Sequence, residues 1–301
     1  METDPIRIDF SEESITLLNG CLALIMFGVA LGIKGEHFFQ LSRDKKALFT
    51  GLFCQYIFLP VITVILIYVI NPPTDIALGM ILVASCPGGN ASNFFSMLAK
   101  GNLALSVTLS AFTSVFCFLI TPLSFFFWSS LVPSLLLQVE KFEISFMDLF
   151  VNMVLILLLP LIAGMAFAKF LPETTEKVSK ILRTISMLIL VGVIAVAFSK
   201  NYDVFKNHIL KVFWIVILHN GLGLVGAYFL SSLLKNKEDV SRSVAIETGI
   251  QNSGLGLILI FTFFGGNGSM ALVAAWWGIW HLISGFGFAW LIRKKATPQT
   301  I

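Results

Sequence analysis

The residues best equipped for chemistry are a carboxylate and two carboxamides in one short run, Ile246-Glu247-Thr248-Gly249-Ile250-Gln251-Asn252-Ser253-Gly254, which opens into the almost wholly apolar Leu255 to Phe264. An ionisable side chain in such surroundings faces a cavity, a partner or an ion, because contact with hydrocarbon is costly. Gly249 and Gly254 let a helix loosen here, freeing backbone carbonyls that something must satisfy. A bound cation would do so. Glu247 is the one acidic residue deep within an apolar segment; Asp75, Asp148, Asp203 and Asp239 fall near segment ends. Sodium takes oxygen ligands. The chain offers them as the side chains of Gln55, Ser92, Asn93, Ser106, Ser110, Glu247 and Gln251 and as carbonyls where helices unwind. In a low-dielectric interior a carboxylate compensates a cation's lost hydration best. A proton is the other cation a carboxylate can carry, and the neighbouring amides and hydroxyls favour the metal ion.

Each polar residue also has a purely structural use. Ser92, Ser106 and Ser110 can bond to carbonyls one turn back, as Ser does in membrane helices. Gln55 can tie two helices together, and His219 and Asn220 can be polar packing groups. His281 follows Trp276-Trp277-Gly278-Ile279-Trp280, and either anchors the chain near the membrane surface or meets a substrate. Enzymatic readings find no support: HExxH, GxSxG and paired carboxylates at helical spacing within a span are all missing, and His37, His208, His219 and His281 are scattered. Gly265-Gly266-Asn267-Gly268 lacks the Lys-Ser/Thr of a phosphate loop and reads as a tight turn.

The elements that position these residues are dictated by composition. The 301 residues are 57% hydrophobic and 12% charged, with mean hydropathy +0.90, against about 25% charged in ordinary soluble domains. This is an all-α polytopic membrane protein, its partner the lipid bilayer. The net charge of +3 and basic residues confined to short connections exclude a nucleic-acid role. Cys21, Cys54, Cys86 and Cys117 lie in separate apolar segments without CxxC spacing and read as small buried hydrophobes. The acidic stretch from Met1 to Glu13 lacks the basic region of a cleavable signal, so the first apolar segment is expected to be retained.

Nine apolar segments are expected: Ile15 to Ile33, Ala47 to Ile70, Ile76 to Ala99, Leu103 to Trp128, Leu149 to Phe170, Ile181 to Phe198, Ile209 to Leu234, Val244 to Phe264 and Ser269 to Ile292. The third is broken at Ser85 to Asn93 and the eighth at the Glu247 run. Leu131 to Ser145, the longest connection, has room for a short interfacial helix. Nine spans put fifteen Lys and Arg residues on the side of the C-terminus and five on the other, so the C-terminus is expected in the cytosol and the N-terminus outside.

The two breaks lie five segments apart, so the halves enter the membrane in opposite senses. This is the layout of inverted-repeat transporters, whose discontinuous helices cross near the midplane. We read residues 1–301 as a single transmembrane transporter domain, with repeats over roughly 14–128 and 148–292 and the central helices within roughly 44–128 and 208–292.

Cys86-Pro87-Gly88-Gly89-Asn90-Ala91-Ser92-Asn93, Leu98-Ala99-Lys100-Gly101-Asn102-Leu103-Ala104-Leu105-Ser106 and Glu247-Thr248-Gly249-Ile250-Gln251-Asn252 together resemble the bile acid:sodium symporter family, particularly its bacterial members. The match runs from about Leu17 to Leu291. The resemblance implies a core domain holding both crossed helices, a panel domain, and a nine-span chain that begins after the first helix of ten-helix members. It implies two Na⁺ sites: Ser92, Asn93, Ser106, Ser110 and Glu247 for one; Gln55, Glu247, Gln251 and the carbonyls of Thr248 and Ile250 for the other. Asn90 replaces a usual Thr, Ser110 keeps the hydroxyl of one, and Leu282 replaces Asn in a family Trp-His-Asn run.

The function implied is symport of an organic anion, a bile acid or a smaller organic acid, into the cell across the plasma membrane, a bacterial inner membrane. Asn90, Asn252 and His281 are the candidates to meet the substrate, and no obligate protein partner is evident. The alternatives are a proton-coupled or uncoupled carrier, a channel, and a receptor that binds without transport.

Overall fold

The structure is a computed structural model that describes residues 12–33, 44–89, 91–142, 145–200 and 202–293. Its helices are α1 (Glu12–Ala30), α2 (Lys45–Ile70), α3 (Thr74–Ser85), α4 (Ala91–Leu98), α5 (Leu103–Ser130), α6 (Pro133–Lys141), α7 (Phe146–Phe170), α8 (Pro172–Lys200), α9 (Tyr202–Leu233), α10 (Glu238–Gly249), α11 (Ser253–Phe263) and α12 (Gly268–Arg293). Among the described residues, α2, α5, α7, α12 and the Val212–Leu233 part of α9 are long and apolar enough to cross a membrane. The expected third and eighth segments are discontinuous pairs, α3 with α4 and α10 with α11.

Caps written in the sequence set several helix starts. Asp44, Asn102, Ser145 and Asn252 each accept a hydrogen bond from the backbone N–H three residues on, satisfying one of the otherwise orphaned first-turn donors. Gly265 and Gly266 have φ of +57° and +65°, so the glycine run before α12 is the tight turn its composition suggests. The short helix expected in the longest connection is α6.

Pro60 shapes α2. It supplies no N–H to the carbonyl of Tyr56 and crowds it, and the preceding turn widens into a π-helical one over Cys54–Phe58. Gln55 sits in that turn and is 1% exposed. Pro160 follows a matching π turn, Val154–Leu158, in α7. Along α2, the exposed Phe49, Phe53, Ile57, Val61 and Ile65 recur every four residues and give it one apolar outer stripe.

Every residue of α3 from Ile76 to Ser85 is buried, as expected of a helix that is apolar all round. It lies against α12 so closely that a Cβ on Gly79 would stand 3.0 Å from Met270 Cα. Residues 240–249 of α10 are equally buried although they include Arg242, Ser243, Glu247 and Thr248, so neighbouring helices must supply polar partners. α9, α4, α5 and α2 pack around α10, while α1 packs on α7 and α8.

Candidate cation site

The two broken helices meet where both are unwound. Gly89 N–H donates to Ile250 O (2.7 Å) and Asn252 N–H to Pro87 O (2.9 Å), forming a short antiparallel bridge centred on Gly88 and Gln251. The bridge satisfies backbone groups that neither helix can satisfy alone. It requires glycine, since a Cβ on Gly89 would lie 2.9 Å from Gln251 O and one on Gly88 would overlap Glu247 Oε1.

Around this bridge the structure gathers the first predicted oxygen set. Glu247 Oε1 accepts from Ser110 Oγ (2.7 Å) and Oε2 from Ser106 Oγ (3.2 Å). Asn93 Oδ1 lies 2.9 Å from Ser106 Oγ and 3.4 Å from Ser110 Oγ, and Ser92 Oγ is 3.2 Å from Ser110 Oγ. Glu247 is 1% exposed and Ser92 and Ser106 fully buried. The serines do not take the backbone-bonding alternative. Thr50, Thr63, Thr108 and Thr248 do, each bonding to the carbonyl four residues back. Three hydroxyl protons face at least five oxygen–oxygen contacts, and each proton serves one acceptor well. The cluster is therefore rich in lone pairs and short of positive charge. Glu247 also occupies the last turn of α10, where its own helix dipole disfavours a negative charge. These residues fit a hard cation, which takes oxygen ligands.

The second predicted set adjoins the first. Gln55 Nε2 donates to Gln251 Oε1 (2.8 Å) and Cys86 O (3.1 Å), and Gln251 Nε2 donates to Thr248 O (2.7 Å). Gln55 is thus the interhelical tie that its chemistry allowed, and its Oε1 remains buried without a hydrogen-bond partner. A buried acceptor left unpaired is costly, and a cation would satisfy it. Ile250 O is engaged by Gly89 N–H and Thr248 O by Gln251 Nε2, while the Thr248 hydroxyl is turned away to Val244 O.

The predicted substrate contacts are placed less completely. Asn90 lies outside the described residues. Asn252 caps α11 with Oδ1, which accepts from Leu255 N–H at 3.0 Å. His281 is 7% exposed with Nδ1 unpartnered, one turn beyond Gly278, where α12 meets Ser253. Asn220 and Ser284 carried no predicted role in the site. Asn220 Nδ2 donates to Gly249 O (2.7 Å) and its Oδ1 accepts from Ser284 Oγ (2.6 Å). Among the described residues no group of three or more His, Cys, Asp and Glu side chains could hold a metal, so the donor set is one of hydroxyl, amide and carbonyl oxygens around a single carboxylate.

Paired discontinuous helices that meet around a buried carboxylate make this a polytopic membrane protein with the layout of inverted-repeat transporters. A family-wide sequence profile assigns this chain to the Sodium Bile acid symporter family, to which it belongs, with residues 20–208 matched. It is 33% identical over 278 residues to the uncharacterized sodium-dependent transporter YocS of Bacillus subtilis, covering 92% of this chain and 83% of that one. It is 30% identical to the probable chloroplastic sodium/metabolite cotransporter BASS1 of Arabidopsis thaliana, over 92% of this chain and 67% of that protein. The mouse P3 protein is 26% identical over 73% of this chain and 46% of its own length. Membership of this family makes the chain a transporter.

Proposed function

We propose that this protein imports an organic anion by coupling it to two Na⁺ ions bound at the helix crossing. The observation that carries the reading is the Glu247 carboxylate, buried among Ser92, Ser106, Ser110 and Asn93 with more lone pairs than protons. One ion takes the oxygens of Ser92, Asn93, Ser106, Ser110 and Glu247. The other takes Gln55, Glu247, Gln251 and the carbonyls of Thr248 and Ile250. With Glu247 shared, filling one site biases the geometry of the other, and both hold the crossing in the form that accepts substrate. The family description and the sodium-dependent or sodium/metabolite names of relatives support sodium as the coupling ion.

The anion meets the N-terminal ends of α4 and α11, where the helix dipoles favour negative charge. Asn252 caps α11, and Asn90 directly precedes Ala91 in the sequence. Capping occupies Asn252 Oδ1, which leaves its Nδ2 to donate to the anion. His281 is the third contact. The substrate is a bile acid or a smaller organic acid.

The arrangement comprises nine transmembrane helices, with α1, α7 and α8 as the panel and the remaining membrane helices as the core. The N-terminus is outside and the C-terminus cytoplasmic, in a bacterial inner membrane. Uptake of labelled organic acids and taurocholate into proteoliposomes tests the reading. A sodium gradient should drive accumulation above equilibrium. Uptake unchanged when K⁺ replaces Na⁺ at constant pH would point instead to proton-coupled or uncoupled carriage, and saturable binding without flux to a receptor.

A further inference from the structure

We infer that Asn220 and Ser284 are positioning residues that set the sodium affinity of the second cation site, an inference that rests on the sodium reading above. The argument begins with the carbonyls freed where α10 ends. Four consecutive ones have lost their helical donors, and each finds another. Thr248 O accepts from Gln251 Nε2, Gly249 O from Asn220 Nδ2, Ile250 O from Gly89 N–H and Gln251 O from Ser253 N–H. Three of the four donors come from the broken segments themselves. Gly249 O is the exception, held by a side chain of α9.

That bond fixes the Gly249–Ile250 peptide plane. The carbonyls proposed for the second cation, Thr248 O and Ile250 O, flank it directly, so a peptide plane is anchored between them. Asn220 is itself held: it is fully buried, and Ser284 of α12 donates to its Oδ1 at 2.6 Å. An amide whose oxygen is engaged by a donor must present its NH₂ elsewhere, and here that is Gly249 O. Ser284 therefore dictates which way Asn220 points.

Close packing surrounds the same bond. A Cβ on Gly249 would overlap the Leu224 side chain of α9, and one on Gly285 would stand 2.8 Å from Ile250 Cδ1. α9 and α12 thus grip the unwound segment on both sides, with Asn220 as the polar link between them. Neither Asn220 nor Ser284 contacts Glu247, Gln55 or Gln251 through the hydrogen bonds described. Their effect on a cation is transmitted through the peptide they orient, as residues behind metal ligands do.

The test titrates purified full-length protein with Na⁺ against K⁺ at constant ionic strength, following the melting midpoint. Wild type should be stabilised saturably by Na⁺. Asn220→Ala should raise the half-saturating sodium concentration about tenfold or more, the range expected when a residue behind a ligand is lost. Ser284→Ala should raise it less, and Ser284→Thr, which restores the hydroxyl, should return it toward wild type. Should Asn220→Ala fail to fold, the Ser284 pair decides the matter. If these variants melt lower in K⁺ yet half-saturate at the wild-type sodium concentration, the two residues only pack, and the inference is overturned. A wild-type protein indifferent to Na⁺ would overturn the sodium reading and this inference with it, an outcome distinct from variants that match a responsive wild type.

Discussion

Gly88 lies against Glu247 with no room for a methyl group between them: a Cβ added at residue 88 would overlap Oε1 of the carboxylate. The break in one helix is thereby matched to the charge carried by the other. Gly88→Ala should displace the carboxylate from Ser106 and Ser110 and abolish sodium-dependent uptake. Gly20→Ala, in α1 where an added Cβ meets nothing within 4 Å, should leave uptake at the wild-type rate. Equal activity of the two variants would show that the close approach is not required.

The three serines near Glu247 should be separable from the threonines beside them. Ser110 Oγ donates to the carboxylate at 2.7 Å, whereas the Thr248 hydroxyl is spent on Val244 O. A hydrogen bond to a charged group contributes about 1.5–3 kcal/mol. Ser110→Ala is therefore expected to raise the half-saturating sodium concentration of uptake by about ten- to a hundredfold. Thr248→Val, which leaves the backbone carbonyl in place, should change it less than about threefold. Sodium titrations of uptake by both variants check the contrast.

Gln55 offers a prediction about cooperativity. Its Nε2 ties Gln251 and Cys86 while its Oε1 is buried without a partner. Gln55→Leu should remove the second ion while sparing the first, so sodium dependence should fall from a sigmoidal to a hyperbolic curve. A variant that keeps the sigmoidal curve would remove Gln55 from the ion path.

These contrasts also mark what the sequence made legible. Glu247 stood out as a lone carboxylate inside an apolar segment, and Pro87-Gly88-Gly89 announced the facing break, so the crossing was visible in residue type alone. The use each hydroxyl makes of its proton was not. Ser106, Thr108 and Ser110 look alike in sequence, yet Thr108 bonds back to Ala104 O and its neighbours turn to the carboxylate. Asn220 escaped because its partner is a backbone carbonyl 29 residues away, and a carbonyl has no side-chain signature. The π turn that carries Gln55 was signalled by Pro60, but a proline alone does not distinguish a kink from a widened turn.

Arg242 anchors the start of the site helix. Its Nη1 donates to Ala99 O (3.1 Å) and its Nε and Nη2 to Glu238 Oε1, with the arginine side chain 3% exposed and the glutamate 50%. Arg242→Ala strands a buried carbonyl, and because Glu238 stays half in solvent the cost should be about 1–3 kcal/mol. The melting midpoint should fall with the half-saturating sodium concentration unchanged, which separates scaffold from site.

Membrane potential should act on the carrier. One monoanion moving inward with two Na⁺ carries one net positive charge, and each such charge responds by about 2.3 kcal/mol per 100 mV. Imposing an inside-negative potential with valinomycin and a K⁺ gradient should raise accumulation of a transported monoanion. Accumulation indifferent to the potential would mean electroneutral transport and contradict the coupling of two Na⁺ to one monoanion.

The most direct measurement is equilibrium binding of ²²Na⁺ to the purified protein and to Glu247→Gln, which keeps the shape of the side chain and removes its charge. The account predicts saturable binding of two ions per wild-type chain and loss of both in the variant, because Glu247 serves both sites. Wild-type binding that does not saturate, or a variant that still binds two ions, would contradict it.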